Sequence, residues 1–96
     1  MVDGRICDMA IHENVRRLCE YGNPRIDGMV DPGDEMLSCY IIGFLASTGL
    51  NHYNFYLDIG GNSSVLVCVS CDGSVETFDW NAYEWVPFFD IAPRMK

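Results

Sequence analysis

Residues 65–80 read VLVCVSCDGSVETFDW and contain the clearest structural signal in the sequence. Two runs of β-forming residues flank Asp72-Gly73, a dipeptide typical of a two-residue type I′ hairpin turn, in which both central positions need φ > 0. Such a turn places Val67 opposite Phe78 and Val69 opposite Glu76. We therefore predict a β-hairpin whose buried face carries Val65, Val67, Val69, Cys71, Ser74, Glu76, Phe78 and Trp80. The predicted solvent face carries Leu66, Cys68, Ser70, Val75, Thr77 and Asp79.

The N-terminal part of the chain has a helical pattern. Apolar residues recur at three- and four-residue steps over residues 3–21, which predicts a first helix with Asp3 as its N-cap. Gly22 follows this pattern in the position that a left-handed residue takes after a helix end. Residues 22–35 are rich in proline, glycine and acidic residues and are predicted to form a loop.

A second helix is predicted from about residue 32 to Thr48, ending at Gly49. Asp31-Pro32 has the order of an N-cap followed by proline in the first turn. The segment is apolar nearly all round, which is typical of a core helix or of a subunit contact. Because Tyr-Ile-Ile favours β structure, a strand over residues 38–45 is the alternative.

The remainder of the chain alternates between apolar and polar residues, as strands do. Residues 53–59 form one such run, the hairpin follows, and Asn81-Ala82 is a predicted turn before a last strand over residues 83–89. Pro87 restricts that strand to the edge of a sheet. The sequence thus predicts a single acidic domain of the α+β class over residues 1–96. Its two N-terminal helices are expected to pack on a four-stranded antiparallel β-meander.

Charge is distributed unevenly along the chain. Residues 1–25 contain four acidic residues and four arginines, whereas residues 26–93 contain ten acidic residues and neither lysine nor arginine, and the net charge is −8. Such a field repels nucleic acid and anionic membranes and attracts basic surfaces. The ordinary alternative is that net charge only keeps the protein soluble.

Five cysteines and the absence of a secretion signal predict a cytoplasmic protein with reduced thiols. Cys68-x-x-Cys71 resembles half of a zinc knuckle, but the sequence offers no second cysteine pair at metal spacing. Cys39 and His52 are the nearest candidates for a thiol–imidazole pair, yet no basic residue is near them to lower the thiol pKa. We therefore predict no metal, no cofactor and no enzymatic activity. The apolar run that ends near Leu50 is too short for a membrane span.

Acidic and aromatic residues alternate over residues 78–85, FDWNAYEW. Tryptophan and tyrosine are frequent anchors of protein interfaces, and arginine binds both aromatic faces and carboxylates. Phe78 and Trp80 are expected in the core, whereas Tyr83, Glu84 and Trp85 cannot all face inward. The predicted partner-binding residues are Asp27, Asp31, Asp34, Glu76, Asp79, Tyr83, Glu84 and Trp85.

These observations favour a small acidic inhibitor that binds the basic, nucleic-acid-binding surface of a larger enzyme. Phage-encoded inhibitors of host nucleases, anti-CRISPR proteins among them, and immunity proteins against nuclease toxins are similar in size and charge. We expect no direct contact with nucleic acid or membrane. The first alternative is a non-inhibitory subunit of a cytosolic complex, with homodimerisation as one possibility, that makes contact through the apolar second helix. The second is a small zinc- or thiol-dependent enzyme.

Overall fold

Among the residues that the structure describes, five antiparallel strands form one sheet in chain order, and three helices accompany it. The structure is a computed structural model that describes residues 6–28 and 32–92. Its elements are α1 (Asp8–Leu18), β1 (Asn23–Arg25), α2 (Asp34–Thr48), β2 (His52–Gly60), β3 (Ser63–Ser70), β4 (Val75–Asp79), β5 (Glu84–Pro87) and α3 (Phe88–Ile91). The α+β class and the antiparallel meander are therefore confirmed, with five strands instead of the four that we predicted.

The additional strand is β1, which lies inside the segment predicted to be a loop. Asn23 pairs with Asp58 and Arg25 with Tyr56, so β1 forms one edge of the sheet beside β2. Gly22 permits this approach, because a Cβ atom at that position would collide with the carbonyl oxygen of Asp58. This position therefore needs glycine for close packing. The φ of Gly22 is not positive, so it is not the left-handed residue that we predicted after the end of the first helix.

The β3–β4 hairpin differs from the prediction by one residue of register. Val67 pairs with Thr77 and Val69 with Val75, because the turn has three residues rather than two. The amide of Gly73 donates to the carbonyl oxygen of Ser70 at 2.9 Å, and only Gly73 among the turn residues has positive φ, at 93°. This is the pattern of a type I turn closed by a left-handed glycine. The type I′ prediction was wrong.

A shift of one residue exchanges the two faces of β4. Val75 and Thr77 are buried, and the Thr77 hydroxyl donates to the carbonyl oxygen of Leu66 at 2.8 Å. Glu76 and Phe78 consequently lie on the outward face, and Trp80 is 61% exposed. The prediction that Phe78 and Trp80 fill the core was wrong, as was the placement of Val75 and Thr77 on the solvent face.

The first helix is shorter than predicted. It begins at Asp8 and ends at Leu18, with Cys7 as N-cap, whereas the predicted cap Asp3 lies outside the described residues. The Cys7 amide donates to the carbonyl oxygen of Cys71 at 2.8 Å. The segment before α1 therefore pairs with the hairpin turn instead of continuing the helix.

The second helix is confirmed. It runs over Asp34–Thr48 and ends at Gly49, whose φ is 75° and whose amide donates to Leu45. The alternative of a strand over residues 38–45 is wrong. The N-cap is Gly33, with no side-chain hydrogen bond, whereas the predicted cap Asp31 lies outside the described residues.

The core lies between one face of the sheet and the helices α1 and α2. Its central side chains come from both layers: Ile11, Val15, Leu18, Leu37, Ile41, Leu45, Phe55, Leu57, Val67, Val69, Val75 and Phe88. Burial of this apolar surface is the main stabilising contribution to the fold. The opposite face of the sheet, here called the outward face, points away from α1 and α2.

The chain leaves the sheet at Pro87, and the predicted last strand was therefore too long. The four residues of α3 follow, and its first residue, Phe88, is fully buried against Tyr21 with ring centroids 5.6 Å apart. The prediction that Pro87 lies in an edge strand is confirmed, since β5 forms the edge opposite β1. The other edge strand also contains a proline, Pro24. None of the helices in the described ranges has the length and apolar character needed to cross a membrane.

Candidate functional site

The loop between β4 and β5 is held in one conformation by Asp79. A carboxylate oxygen of Asp79 accepts hydrogen bonds from the amides of Asn81, at 2.9 Å, and Ala82, at 3.2 Å. The Tyr83 amide donates to the carbonyl oxygen of Asp79 at 2.6 Å. Tyr83 itself has φ 60°, a left-handed conformation that is rare for a bulky residue. The loop therefore presents its aromatic side chains from a defined backbone.

Four aromatic side chains meet at this end of the hairpin, and we call Phe78, Trp80, Tyr83 and Trp85 the aromatic cluster. Phe78 is central: its ring centroid lies 4.6 Å from that of Trp80, 5.4 Å from Tyr83 and 5.3 Å from Trp85. All three contacts are edge-to-face, the geometry that aromatic quadrupoles favour. Trp80 and Tyr83 are nevertheless 61% and 76% exposed. The cluster is thus a surface feature.

A band of apolar side chains continues from the cluster across the outward face. Phe78 pairs with Trp85, the register of β3 and β4 places Leu66 opposite Phe78, and Leu66 pairs with Tyr56 of β2. Arg25 of β1 lies next to Tyr56 at the far edge. The aromatic cluster is therefore one end of an apolar row that crosses β5, β4, β3 and β2 and meets Arg25 of β1, on the face away from the helices.

Five of the predicted partner-binding residues lie together in the β4–β5 hairpin: Glu76, Asp79, Tyr83, Glu84 and Trp85. Glu76 faces outward two residues before Phe78, and Glu84 is exposed between Tyr83 and Trp85. Asp79 has a structural role, because its carboxylate holds the loop. The sequence reasoning missed Phe78 and Trp80, and the signal that identifies them is the three-residue turn that sets the register of β4.

The other predicted acidic residues lie elsewhere. Asp27 follows β1, at the sheet edge opposite the cluster, near Tyr53. Burial raises the pKa of Tyr53 to about 12, helped by the neighbouring Tyr40 and by the charge of Asp27. Asp34 begins α2 in the helix layer, where its carboxylate accepts a hydrogen bond from the Glu35 amide at 2.9 Å. Asp31 lies outside the described residues.

The thiols of Cys19 and Cys68 are harder to ionise than an ordinary cysteine thiol. Burial, reinforced by the charge of Asp34, raises the pKa of Cys19 to about 11, and burial also raises the pKa of Cys68. A nucleophilic or metal-binding thiol needs the opposite shift. Within residues 6–28 and 32–92, no group of three or more histidine, cysteine or acidic side chains has an arrangement that could hold a metal ion.

A serine–histidine pair joins the two N-terminal helices. The Ser38 hydroxyl lies 2.5 Å from Nδ1 of His12, and its oxygen is also 3.1 Å from the carbonyl oxygen of Glu35. A hydroxyl has one proton, so donation to Glu35 requires His12 to donate from Nδ1 to the Ser38 oxygen. Since Ser38 is 1% exposed, a substrate cannot reach its hydroxyl. The pair is a contact between α1 and α2.

No protein-family model matches this chain, and neither a curated protein nor a solved structure of detectable similarity was found.

Proposed function

We propose that this protein is a small acidic inhibitor that binds a basic surface of a larger protein, in particular the nucleic-acid site of an enzyme. The observation that supports this most strongly is the exposed aromatic cluster, which lies inside the segment that has ten acidic residues and no lysine or arginine. Desolvated aromatic anchors supply most of the binding energy in many protein interfaces. A negative field accelerates encounter with a basic partner.

The described ion pairs neutralise acids of α1 and β2 and leave the β4–β5 hairpin charged. Arg16 pairs with an acidic residue of its own helix at 3.1 Å, and Arg25 pairs with Asp58 at 2.6 Å. Glu76 and Glu84 take part in no ion pair among the described residues. The negative charge around the aromatic cluster is therefore uncompensated within the described parts of the chain.

The acidic residues lie on several sides of the molecule rather than in one array. Ten phosphate charges occupy about 17 Å along a duplex, which is less than the shortest extent of the molecule, 20 Å. The proposal therefore depends on the net field and the aromatic anchor, and does not require a residue-by-residue copy of a nucleic-acid backbone. Anti-CRISPR and other phage inhibitors, and nuclease immunity proteins, are the functional class to which this mechanism would belong.

The experiment that tests the proposal compares two baits. The wild-type protein and the Trp80→Ala/Tyr83→Ala variant are immobilised, and proteins from the native host are captured on both. We expect a nucleic-acid-processing enzyme to bind the wild type and not the variant, and stoichiometric addition of the wild type to abolish its nucleic-acid binding. Retention of nucleic-acid binding in the saturated complex would contradict inhibition by occupation of the site.

Kinetic measurements on the complex separate the roles of charge and aromatic contact. Glu76→Gln/Glu84→Gln should slow association and weaken its dependence on salt, while Glu35→Gln, which neutralises one carboxylate in the helix layer, should have a much smaller effect on both. Trp80→Ala should mainly accelerate dissociation, by about thirtyfold if its contact is worth about 2 kcal/mol. Binding that is insensitive to salt and to both sets of variants would refute the proposal.

A second candidate function is that of a subunit that makes contact through α2. Met36, Tyr40 and Leu50, at or just beyond this helix, are 58%, 42% and 53% exposed. Gly43 lies between them on the exposed side, and a Cβ atom there would have no neighbour within 4 Å. Glycine in this position lowers helix stability by about 1 kcal/mol without any packing role inside the monomer.

Analytical ultracentrifugation over a range of protein concentrations tests this alternative for self-association. If α2 forms a dimer, association should persist at high salt and be lost in Gly43→Arg, while Trp80→Ala should leave it unchanged. A protein that stays monomeric at all concentrations would exclude the homodimer, one possible form of the subunit alternative.

A further inference from the structure

The exposed rings of the aromatic cluster have a geometry suited to a flat cation. Phe78, Trp80 and Tyr83 are nearly perpendicular to one another, with interplanar angles of 69°, 77° and 72°. A planar side chain that is 61% or 76% exposed, as Trp80 and Tyr83 are, must leave at least part of one ring face in contact with solvent. The faces of aromatic rings carry partial negative charge and attract cations.

A negative field around the rings favours the same class of ligand. Glu76 lies on the same sheet face as Phe78, whereas Glu84 pairs with Asp79, so its side chain leaves β5 on the face opposite Phe78 and Trp85. A guanidinium group can stack flat on a ring while its N–H groups bind a carboxylate in bidentate fashion. An ammonium group is more strongly hydrated and has no planar face to stack.

This chain already contains one contact of the kind that the cluster would make. The guanidinium carbon of Arg17 lies 4.0 Å from the centroid of the Phe89 ring. That contact joins α1 to α3. In the β4–β5 hairpin no described arginine or lysine is present to make the corresponding contact with Trp80 or Tyr83.

The loop holds the backbone at Tyr83 in an unfavourable conformation. A left-handed conformation is unfavourable for a bulky residue, and Tyr83, at φ 60° and 76% exposure, regains little stability by burial. The hydrogen bonds from the loop to Asp79 maintain the conformation. The strain keeps the tyrosine ring beside Trp80 at the surface, with a centroid distance of 6.4 Å.

We propose that the aromatic cluster binds an arginine side chain of the partner and discriminates against lysine. This inference deepens the proposed function and rests on it, since the partner's basic surface would supply the arginine. The guanidinium stacks on the exposed ring of Trp80 or Tyr83. Arginine is a frequent residue in nucleic-acid sites, where it binds phosphate in bidentate fashion.

Blocked hepta-arginine and hepta-lysine peptides at equal ionic strength are the probes. Both tryptophans of the chain lie in the cluster, so tryptophan fluorescence reports binding there directly. We expect the arginine peptide to bind about fivefold more tightly than the lysine peptide, in line with a solvent-exposed cation–π contact. Equal affinities for the two peptides would overturn the inference.

Tyr83→Gly is the decisive variant, because glycine accepts the left-handed backbone and keeps the loop. It should reduce the preference for arginine to less than twofold, whereas Glu84→Gln, which removes a charge from the opposite face, should weaken both peptides alike. The control Tyr40→Ser removes an exposed aromatic ring from α2 and should change neither affinity. A preference for arginine that persists in Tyr83→Gly would also overturn the inference.

The two proposals fail in distinguishable ways. If the arginine preference is found but the captured enzyme still binds nucleic acid in the complex, the inhibitory function is wrong and the arginine site stands. If the enzyme is inhibited while both peptides bind alike, the function stands and the assignment of an arginine to the cluster is wrong.

Discussion

Replacing Gly73 by alanine should destabilise the fold through a contact that links the β3–β4 turn to helix α1. The φ of Gly73 is 93°, and an added Cβ atom would lie 2.5 Å from the Cβ atom and 2.9 Å from the carbonyl carbon of Ala10. The Asn14 side-chain amide donates to the carbonyl oxygen of Gly73 at 2.7 Å, so any shift of the turn also strains this bond. Gly60 is a matched control, with φ 95° and no neighbour within 4 Å of an added Cβ atom.

The expected loss of stability can be divided between backbone and contact. The left-handed conformation costs an alanine about 1–2 kcal/mol, of which the reduced entropy of the unfolded chain offsets about 0.4–1 kcal/mol. Gly60→Ala should therefore lower the free energy of unfolding by about 1 kcal/mol. Gly73→Ala carries in addition an overpacking cost of about 1–3 kcal/mol and the loss of a hydrogen bond worth about 1 kcal/mol. The difference between the two variants should be about 2–4 kcal/mol.

Urea denaturation followed by circular dichroism measures both variants under conditions in which the m-value should stay constant. Ala10→Gly removes the nearest of the colliding atoms, so it should restore part of the stability of Gly73→Ala and give a favourable coupling in a double-mutant cycle. Equal destabilisation in Gly60→Ala and Gly73→Ala, or zero coupling to Ala10, would refute the close contact between turn and helix.

Thr77→Asp should unfold the domain much as Val67→Asp does, because both side chains are buried and an unpaired buried carboxylate costs several kcal/mol; Thr77→Val should lose only about 1 kcal/mol in thermal denaturation. Tolerance of Thr77→Asp would contradict the register. Hydrogen bonds from the Ser74 amide and hydroxyl hold the pKa of Asp72 below its usual value. The charged carboxylate therefore stabilises the fold at neutral pH, and this contribution disappears as the pH falls through the lowered pKa. The melting temperature of Asp72→Ala should accordingly lie below that of the wild type at pH 7 and approach it as the pH falls through the lowered pKa of Asp72. Since burial raises the pKa of Cys19 to about 11, iodoacetamide should modify the exposed Cys39 first in the native protein, and equal rates by peptide mass spectrometry would be inconsistent with the structure.

Local sequence patterns were sufficient to predict the helices and strands whose ends are determined by neighbouring residues. The helix over Asp34–Thr48 follows from apolar periodicity and from Gly49, which takes the left-handed conformation that ends it. The strand β2 follows from alternation, with Phe55 and Leu57 buried on the same face. In both cases the information lies within a few residues of the element.

The errors arose where distant residues decide the structure. Asp72-Gly73 is compatible with a two-residue turn and also with a three-residue turn that ends in glycine. The three-residue turn lets Gly73 lie against Ala10, which is far away in sequence, and it brings Val75 and Thr77 into the core. The strand β1 also depends on distant residues. Asn-Pro-Arg has low β-propensity, and it forms a strand because the edge of β2 is available for pairing.

The candidate site was predictable in composition but not in arrangement. The alternation of acidic and aromatic residues over residues 78–85 identified Tyr83, Glu84 and Trp85 from the sequence alone. The positions of Phe78 and Trp80 on the surface depended on the hairpin register and were therefore assigned wrongly to the core. The separation of Asp27 and Asp34 from these residues depends on tertiary structure, which no local pattern encodes.

The prolines in β1 and β5 should allow the protein to reach a high concentration without aggregating. Pro24 and Pro87 lie in the two edge strands, and a proline offers no N–H group to an incoming strand. Strand addition by a second molecule, the first step toward fibrils, is thereby disfavoured at both edges. An inhibitor of the proposed kind would have to reach at least the concentration of its partner, and edges that resist strand addition would allow this without aggregation.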